Sequence, residues 1–337
     1  MMLELLNTKI FDNERNILNA DLFVSNLRHT LKAFKFNTKI QYEVYRNVTI
    51  YHISWNDDKS YDDIVSLKKE IGLALGLSSN EFDIDKVNDN EVSIKVLNMK
   101  RGVLSLKELL ESADERDGNR IPIGLDYKDN AIYFDIEKDK NLLVTGVSGT
   151  GKTNLFNEII LNILMSRDNT RIIVLDSTHI SYNSYDGLIE VVNDEEDIIL
   201  KIKSIRKEFE DRVKNNVRDR IVLFIDEIYE IIKMNDTVKD DINYLLEIGN
   251  TMNIHIVMST DSVLDDDISY LFDKDDISKL CFYLTSRSEY NRFLDRYVDE
   301  KMGNDGMYVS MNKDMMRINI PLIEDDEIDR VVSYLKR

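Results

Sequence analysis

The residues best suited to chemistry in this sequence are Gly146-Val147-Ser148-Gly149-Thr150-Gly151-Lys152-Thr153. They fit the spacing G-x-x-x-x-G-K-[ST], in which glycines let successive backbone N–H groups point into one concavity. A helix that begins there adds the positive end of its dipole. In such a turn the lysine reaches the β- and γ-phosphates of a nucleotide, and the following hydroxyl ligates Mg2+. The expected nucleotide contacts are therefore Gly146, Ser148, Gly149, Thr150, Gly151, Lys152, Thr153 and Asn154. Thr153 is also an expected metal ligand, and ATP and Mg2+ are the expected cofactors.

A second acidic group must complete the metal site, and RIVLFIDE (residues 220–227) supplies it. Its apolar run marks a buried strand with Asp226 at the C-terminal end, where open α/β sheets bind ligands. Asp226 is expected to hold Mg2+, mostly through water, and Glu227 to polarise the attacking water as general base. RIIVLDST (residues 171–178) ends in Asp176 and Ser177, which lie either near the nucleotide or at a strand-end turn.

These groups need a scaffold that brings strand ends together. Apolar runs at 141–145, 171–176, 220–226, 254–260 and 280–286 read as strands. Helical patterns at about 152–166, 194–214 and 238–252 separate them. Continuous apolar strands alternating with helices predict a parallel sheet covered on both faces. IPIGLDYKDNAIYFDI reads as a hairpin before this series, GMYVSM and MRINIPL as a late pair of strands, and DDEIDRVVSYLKR as a terminal helix. The first 112 residues read as a smaller α+β domain. It has a helix at LFVSNLRHTLKAFKF, a strand at EVYRNVTIYHISW and a helix at SYDDIVSLKKEIGLALGL with Ser60 as N-cap. A strand at EVSIKVL and a short helix at LSLKELLES complete it. The polar stretch ESADERDGNR (111–120) is the expected linker, so the domains predicted are 1–112 and 113–337.

Composition removes other classes. Among 337 residues there is one cysteine, Cys281, which excludes an internal disulfide and a cysteine-based zinc site. Neither a secretory signal nor an apolar run of about 18 residues is present, so a soluble cytoplasmic protein is expected. The net charge is −19 and it is uneven: residues 1–120 carry 17 basic and 20 acidic residues, the remainder 27 and 43. Phosphates respond to a local basic stripe or the lumen of a ring, so this total argues only against a monomer that coats DNA with its whole surface.

The ordered series of these motifs resembles the FtsK/SpoIIIE family of DNA translocases, within the FtsK–HerA group of RecA-like ring ATPases. IPIGLDYKDNAIYFDI with NLLVTGVSGTGKT is similar to the entry to that motor domain. IIVLD, IVLFIDEIYEII, NIHIVMST, and KLCFYLTSRSEYNRFLD with GNDGMYVSM follow in the family's order. The resemblance implies a RecA-like P-loop core after a smaller α+β domain. It further implies a homo-oligomeric ring, hexameric by likeness, that hydrolyses Mg-ATP at subunit boundaries and translocates double-stranded DNA. An ATP-binding ring subunit with weak hydrolysis, or a coupling ATPase for conjugation or protein secretion acting with a partner protein, is the alternative. At this length a bare motor is expected, without membrane-spanning or winged-helix domains.

Three departures stand out. The family's Gln after the sensor strand is here Asp261, and its basic residue after the second strand is lost in Asp176-Ser177-Thr178. The helix before the sensor strand has no Lys or Arg over residues 242–253. That leaves Arg292, which aligns with an arginine of the family's later block, as the expected arginine finger, and Arg287 as second choice.

Overall fold

The computed structural model describes residues 2–9, 13–78, 82–113, 119–166, 168–177, 182–295, 305–310 and 313–337. The chain divides into two compact units, one of residues 9–103 with 127–129, the other of residues 1–8, 104–126 and 130–337. Residues 114–118 of the linker predicted at 111–120 lie outside the described residues.

The smaller unit is built from α1 (Glu14–Ala33), β1 (Thr38–Val44), β2 (Val48–Trp55), α2 (Tyr61–Ser66), α3 (Lys68–Leu75), β3 (Phe82–Asn88) and β4 (Glu91–Leu97). Its strands form an antiparallel sheet in the order β1-β2-β4-β3. Leu27 and Leu31 of α1 and Ile71 and Leu75 of α3 share a core with Tyr51, Ile53, Val92 and Ile94 of the sheet. Three details differ from the sequence reading. The strand expected from Glu43 to Trp55 is the end of one strand and all of the next, reversed at Tyr45–Asn47, where Tyr45 N–H donates to Val48 O at 2.8 Å. The helix starting after Ser60 breaks at Leu67, although Ser60 does form the expected capping box with Asp63. Helix α1 starts two turns before Leu22, because its buried face continues through Ala20 to Asn16. Asn16 reads as polar in the sequence, but its amide is buried and donates to Lys100 O at 2.9 Å.

The larger unit holds the remaining elements, beginning with α4 (Leu106–Ser112), β5 (Arg120–Leu125), β6 (Ala131–Asp135), α5 (Ile136–Asp139) and β7 (Asn141–Thr145). Helix α6 (Lys152–Ser166), β8 (Thr170–Asp176), β9 (Glu190–Val192), α7 (Glu195–Asn215) and β10 (Arg220–Asp226) follow. Then come α8 (Ile228–Met234), α9 (Asp236–Ile248), β11 (Ile254–Thr260), α10 (Asp266–Ser269) and β12 (Ile277–Cys281). The chain closes with α11 (Arg287–Leu294), β13 (Asp305–Val309), β14 (Met315–Asn319) and α12 (Asp325–Leu335). Helix α4 belongs to this unit and not to the smaller one, because Leu106 and Leu110 are buried in one core with Ile121, Ile123 and Leu6.

Ten strands form one sheet in the order β6-β5-β14-β13-β12-β7-β11-β10-β8-β9. Strands β12, β7, β11, β10, β8 and β9 run parallel, and the other four extend the sheet with antiparallel pairings. The predicted α/β class with a mainly parallel sheet is thus the observed one. The two-residue alternation of a strand decides which core each side chain enters. Ile221, Leu223 and Ile225 of β10 pack with α7, α8 and α9, whereas Val222 and Phe224 pack with α6 and α12. Strand β12 begins at Ile277 and ends at Cys281, earlier than the predicted 280–286. Phe282 N–H still donates to Thr145 O at 2.8 Å, after which Ser286 caps α11.

Helix α6 is buried almost all round, and it carries Glu158 with both carboxyl oxygens buried and no hydrogen-bond partner among the described residues. Burial pushes this carboxyl well above the ordinary carboxylate range, so the folded protein keeps it protonated. Its contribution to stability is complete below the pKa of the unfolded chain and is lost as pH rises toward the folded value. We expect Glu158→Gln to be near parent stability at pH 4.5. Above that, its advantage should grow by about 1.4 kcal/mol per pH unit until the folded pKa is passed. Urea titrations at a series of pH values check this; an advantage independent of pH refutes it.

Candidate nucleotide and metal site

Strand order builds the site. Strand β11 lies between β7, which leads into the glycine turn, and β10, which ends at Asp226, so the C-terminal ends of all three are neighbours. Crevices at such ends are where open α/β sheets take ligands.

The glycine turn has backbone angles that its sequence explains. Gly146, Gly149 and Gly151 have φ of 154°, 80° and 114°, values that L side chains rarely adopt. A Cβ on Gly146 would stand 2.6 Å from Thr150 Oγ1 and 2.7 Å from Phe282 Cβ, whereas one on Gly149 would meet nothing within 4 Å. Val147 N–H is anchored to Tyr283 O at 3.1 Å, and Thr150 N–H to Val147 O at 3.3 Å. The amides of Ser148, Gly149, Gly151, Lys152 and Thr153 have no acceptor among the described residues. The turn opens into α6, whose first residue is Lys152.

Lys152 is buried, with its ammonium 2.8 Å from Gly146 O and 3.1 Å from Glu227 Oε1. Glu227 follows β10 in a left-handed conformation, φ 59°. Its other oxygen accepts Asp261 N–H at 3.0 Å, and its own N–H donates to Ser259 Oγ at 2.9 Å. Burial raises the Glu227 pKa, with the Lys152 charge opposing. Asp226 is buried, and its oxygens accept from two hydroxyls, Ser259 Oγ to Oδ1 at 2.6 Å and Tyr182 Oη to Oδ2 at 2.9 Å. Burial raises the Asp226 pKa; the two hydroxyl bonds pull it down and the Asp176 charge adds to the rise. Asp176 pairs in register with Asp226 on the adjacent strand and is itself buried. The Thr153 hydroxyl makes no hydrogen bond among the described residues.

The structure thus brings Gly146–Thr153, Asp226 and Glu227 into one place, with Asp176 beside them. These residues fit a nucleoside triphosphate with a divalent metal. The fit rests on a glycine turn closed on Phe282 and Thr150, a set of unclaimed amides at a helix start, a buried ammonium and a strand-end carboxylate. Two expected residues are placed otherwise. The Asn154 side chain donates to Pro321 O at 2.6 Å and accepts Ile323 N–H at 3.0 Å, so its amide is committed to the chain entering α12. Any contact of Asn154 with a nucleotide is then left to its backbone. Arg292, on α11, is exposed and paired with Asp266 at 3.2 Å. Two residues not predicted for the site are Tyr182 and the Ser259 hydroxyl. Ser259 is foreshadowed by its place on the strand next to β10, Tyr182 by nothing local.

Residues 105–276 match the model of the FtsK/SpoIIIE family. The chain belongs to that family. It is 24% identical over 371 residues to the DNA translocase FtsK of Bacillus cereus, a match that covers 98% of this chain and 45% of the relative. It is 25% identical over 351 residues to the DNA translocase SpoIIIE of Bacillus subtilis, covering 92% and 44%. The chain therefore spans less than half the length of these curated relatives. In fold it is similar to the pCW3 conjugation coupling protein TcpA, with TM-score 0.61, 12% identity and 94% and 99% coverage of the two chains. The cytoplasmic domain of the Thermomonospora curvata type VII secretion ATPase EccC gives TM-score 0.55 at 16% identity, covering 69% of this chain and 34% of that one. Among the described residues no helix is long and apolar enough to cross a membrane.

The Gly146 contacts generate a prediction. Gly146→Ala forces the turn apart and should weaken binding of a fluorescent ATP analogue at least tenfold, about 1.4 kcal/mol. Gly149→Ala adds only left-handed strain, about 1–2 kcal/mol, so it should lower the melting temperature with a smaller loss of affinity. Equal affinities for the two variants in an equilibrium titration would show that the Gly146 contact does not shape the site.

Proposed function

We propose that this protein is a Mg-ATP-dependent translocase of double-stranded DNA that works as a ring, with hydrolysis at the boundaries between subunits. The observation that supports it most is the phosphate cradle with Lys152 and Glu227 in contact at its mouth, within a chain of the FtsK/SpoIIIE family. In this reading the unclaimed amides and Lys152 hold the phosphates, and Thr153 and Asp226 hold the metal, which neutralises charge on the transferred phosphoryl group. Glu227 takes the proton of the attacking water. Lys152 is engaged by Glu227. A γ-phosphate would compete for the same ammonium and so free Glu227 to act as base.

Slow hydrolysis is the second reading, and a specific observation favours it. Helix α9 and the turn after it carry no base over residues 242–253, and Arg292 is held within its own subunit by Asp266. An exposed pair of this kind is weakly held, about 0–1 kcal/mol, so the missing base in residues 242–253 carries the slow reading and the Arg292 pair does not decide it. If no cation reaches the boundary, the ring acts as a nucleotide-gated clamp. The likeness in fold to a conjugation coupling protein makes DNA transfer between cells a process to include among the tests.

Turnover with and without duplex DNA, with mass measurement of the assembly in a non-hydrolysable analogue, tests the reading. Strong stimulation by DNA and a ring are expected; a monomer with analogue, Mg2+ and DNA at micromolar concentration removes it. Lys152→Ala should abolish tight ATP binding, and Glu227→Gln should keep binding and stop turnover. A Glu227→Gln variant that hydrolyses at the parent rate places the base elsewhere.

Arg292→Ala should cut turnover of assembled rings more than tenfold, about 1.4 kcal/mol at the barrier, with ATP affinity of separate subunits unchanged. Mixing it with Lys152→Ala subunits should restore part of the activity, since some mixed boundaries then hold both intact residues. Parent turnover in Arg292→Ala, and in Arg287→Ala as well, selects the slow clamp.

A further inference from the structure

The Asp226 carboxylate is gripped from both sides. Ser259 comes from β11 on one flank of β10, and Tyr182 from the segment that follows β8 on the other. Each donates to a different oxygen, at 2.6 Å and 2.9 Å. Two donors on two oxygens fix both the position and the plane of a carboxylate, which a single bond leaves free to rotate. All three side chains are buried, so water does not substitute for either donor. The Ser259 hydroxyl has one proton, given to Asp226, and its oxygen accepts Glu227 N–H at 2.9 Å. One oxygen atom therefore places both the acid and the backbone that carries the base.

Two tyrosines hold the segment that delivers this grip. Tyr182 and Tyr185 are both buried in the core under α6, and Tyr185 Oη donates to Asn157 Oδ1 of α6 at 3.2 Å. The Tyr182 side chain is thus set from the core, while its hydroxyl points at the site. A carboxylate oxygen has two lone pairs, so each Asp226 oxygen retains one acceptor direction after accepting its hydroxyl.

We propose that Tyr182 and Ser259 are positioning residues for the metal: their hydroxyls hold the Asp226 carboxylate in the one orientation that accepts from the hydration shell of a divalent cation. The proposal rests on Asp226 being the acid on the metal side, as in the proposed function. The test is equilibrium binding of a non-hydrolysable fluorescent ATP analogue in EDTA and across a Mg2+ titration. Tyr182→Phe, which removes one oxygen atom, should raise the Mg2+ concentration for half-saturation at least fivefold and leave affinity in EDTA within twofold of the parent. Ser259→Ala should do the same and also lower kcat beyond the loss repaired by saturating Mg2+, because it releases Glu227. Tyr185→Phe, which loses a buried-core hydroxyl directed at Asn157 instead, should keep the parent half-saturation. Parent half-saturation in both Tyr182→Phe and Ser259→Ala, alongside a shifted Asp226→Asn, overturns the proposal and leaves the metal assignment standing. An unshifted Asp226→Asn removes the metal assignment and the grip with it. A shift in Tyr185→Phe as large as in Tyr182→Phe also overturns it, since loosening of the segment would then be the cause.

Discussion

An ammonium group in the interior has to be compensated, and much of this site follows from how that is done at Lys152. It is buried and has two anionic or dipolar neighbours, Gly146 O and Glu227 Oε1. Removing one partner of such a pair is costly because the other charge stays buried. In the proposed function a bound triphosphate would be the replacement partner, so that binding and release of Glu227 would be two sides of one exchange. The left-handed backbone at Glu227 serves the same end, since it turns the side chain back across β11 toward Lys152. The positive φ is held by Glu227 N–H on Ser259 Oγ, a bond unavailable without β11 as the neighbouring strand.

The acid in place of the family's sensor glutamine is easier to understand in this light. Asp261 contacts Glu227 through its backbone N–H, and its own carboxylate accepts from Ser262 Oγ at 3.0 Å. A main-chain donor is supplied by any residue with an N–H, so the orientation of Glu227 survives the substitution. In place of a neutral side-chain donor, a negative charge stands close to Glu227. In the proposed function the departure therefore bears on phosphate sensing more than on the placing of Glu227 as base.

Much of this was legible in the sequence because it is local. The glycine turn, the runs at 141–145, 171–176, 220–226 and 254–260, and Asp226 at a strand end are each specified within about ten residues. Sheet class followed, since strands buried on both faces need helices on both sides. The misplacements share a different cause. Asn16 at a core position of α1, the three-residue turn at Tyr45–Asn47 and the early start of β12 depend on what each segment meets in space. Helix α4 joined the larger unit for the same reason, through Leu106 and Leu110.

The site shows the same divide more sharply. Asn154 sits at a motif-adjacent position, yet its side-chain amide is held by Pro321 and Ile323, more than 160 residues away in the chain. Tyr182 and Ser259 are the reverse case: they are distant from Asp226 by 44 and 33 residues and carry no motif. Sequence patterns report groups whose spacing along the chain the chemistry itself constrains, as in a phosphate cradle. A hydroxyl that aims a carboxylate need only arrive from a neighbouring strand or loop, and any spacing that the fold closes will deliver it. Residues of that kind can be found only once the strand order β7-β11-β10-β8 is known. That order determines which segments flank the acid, and so which side chains are in a position to hold it.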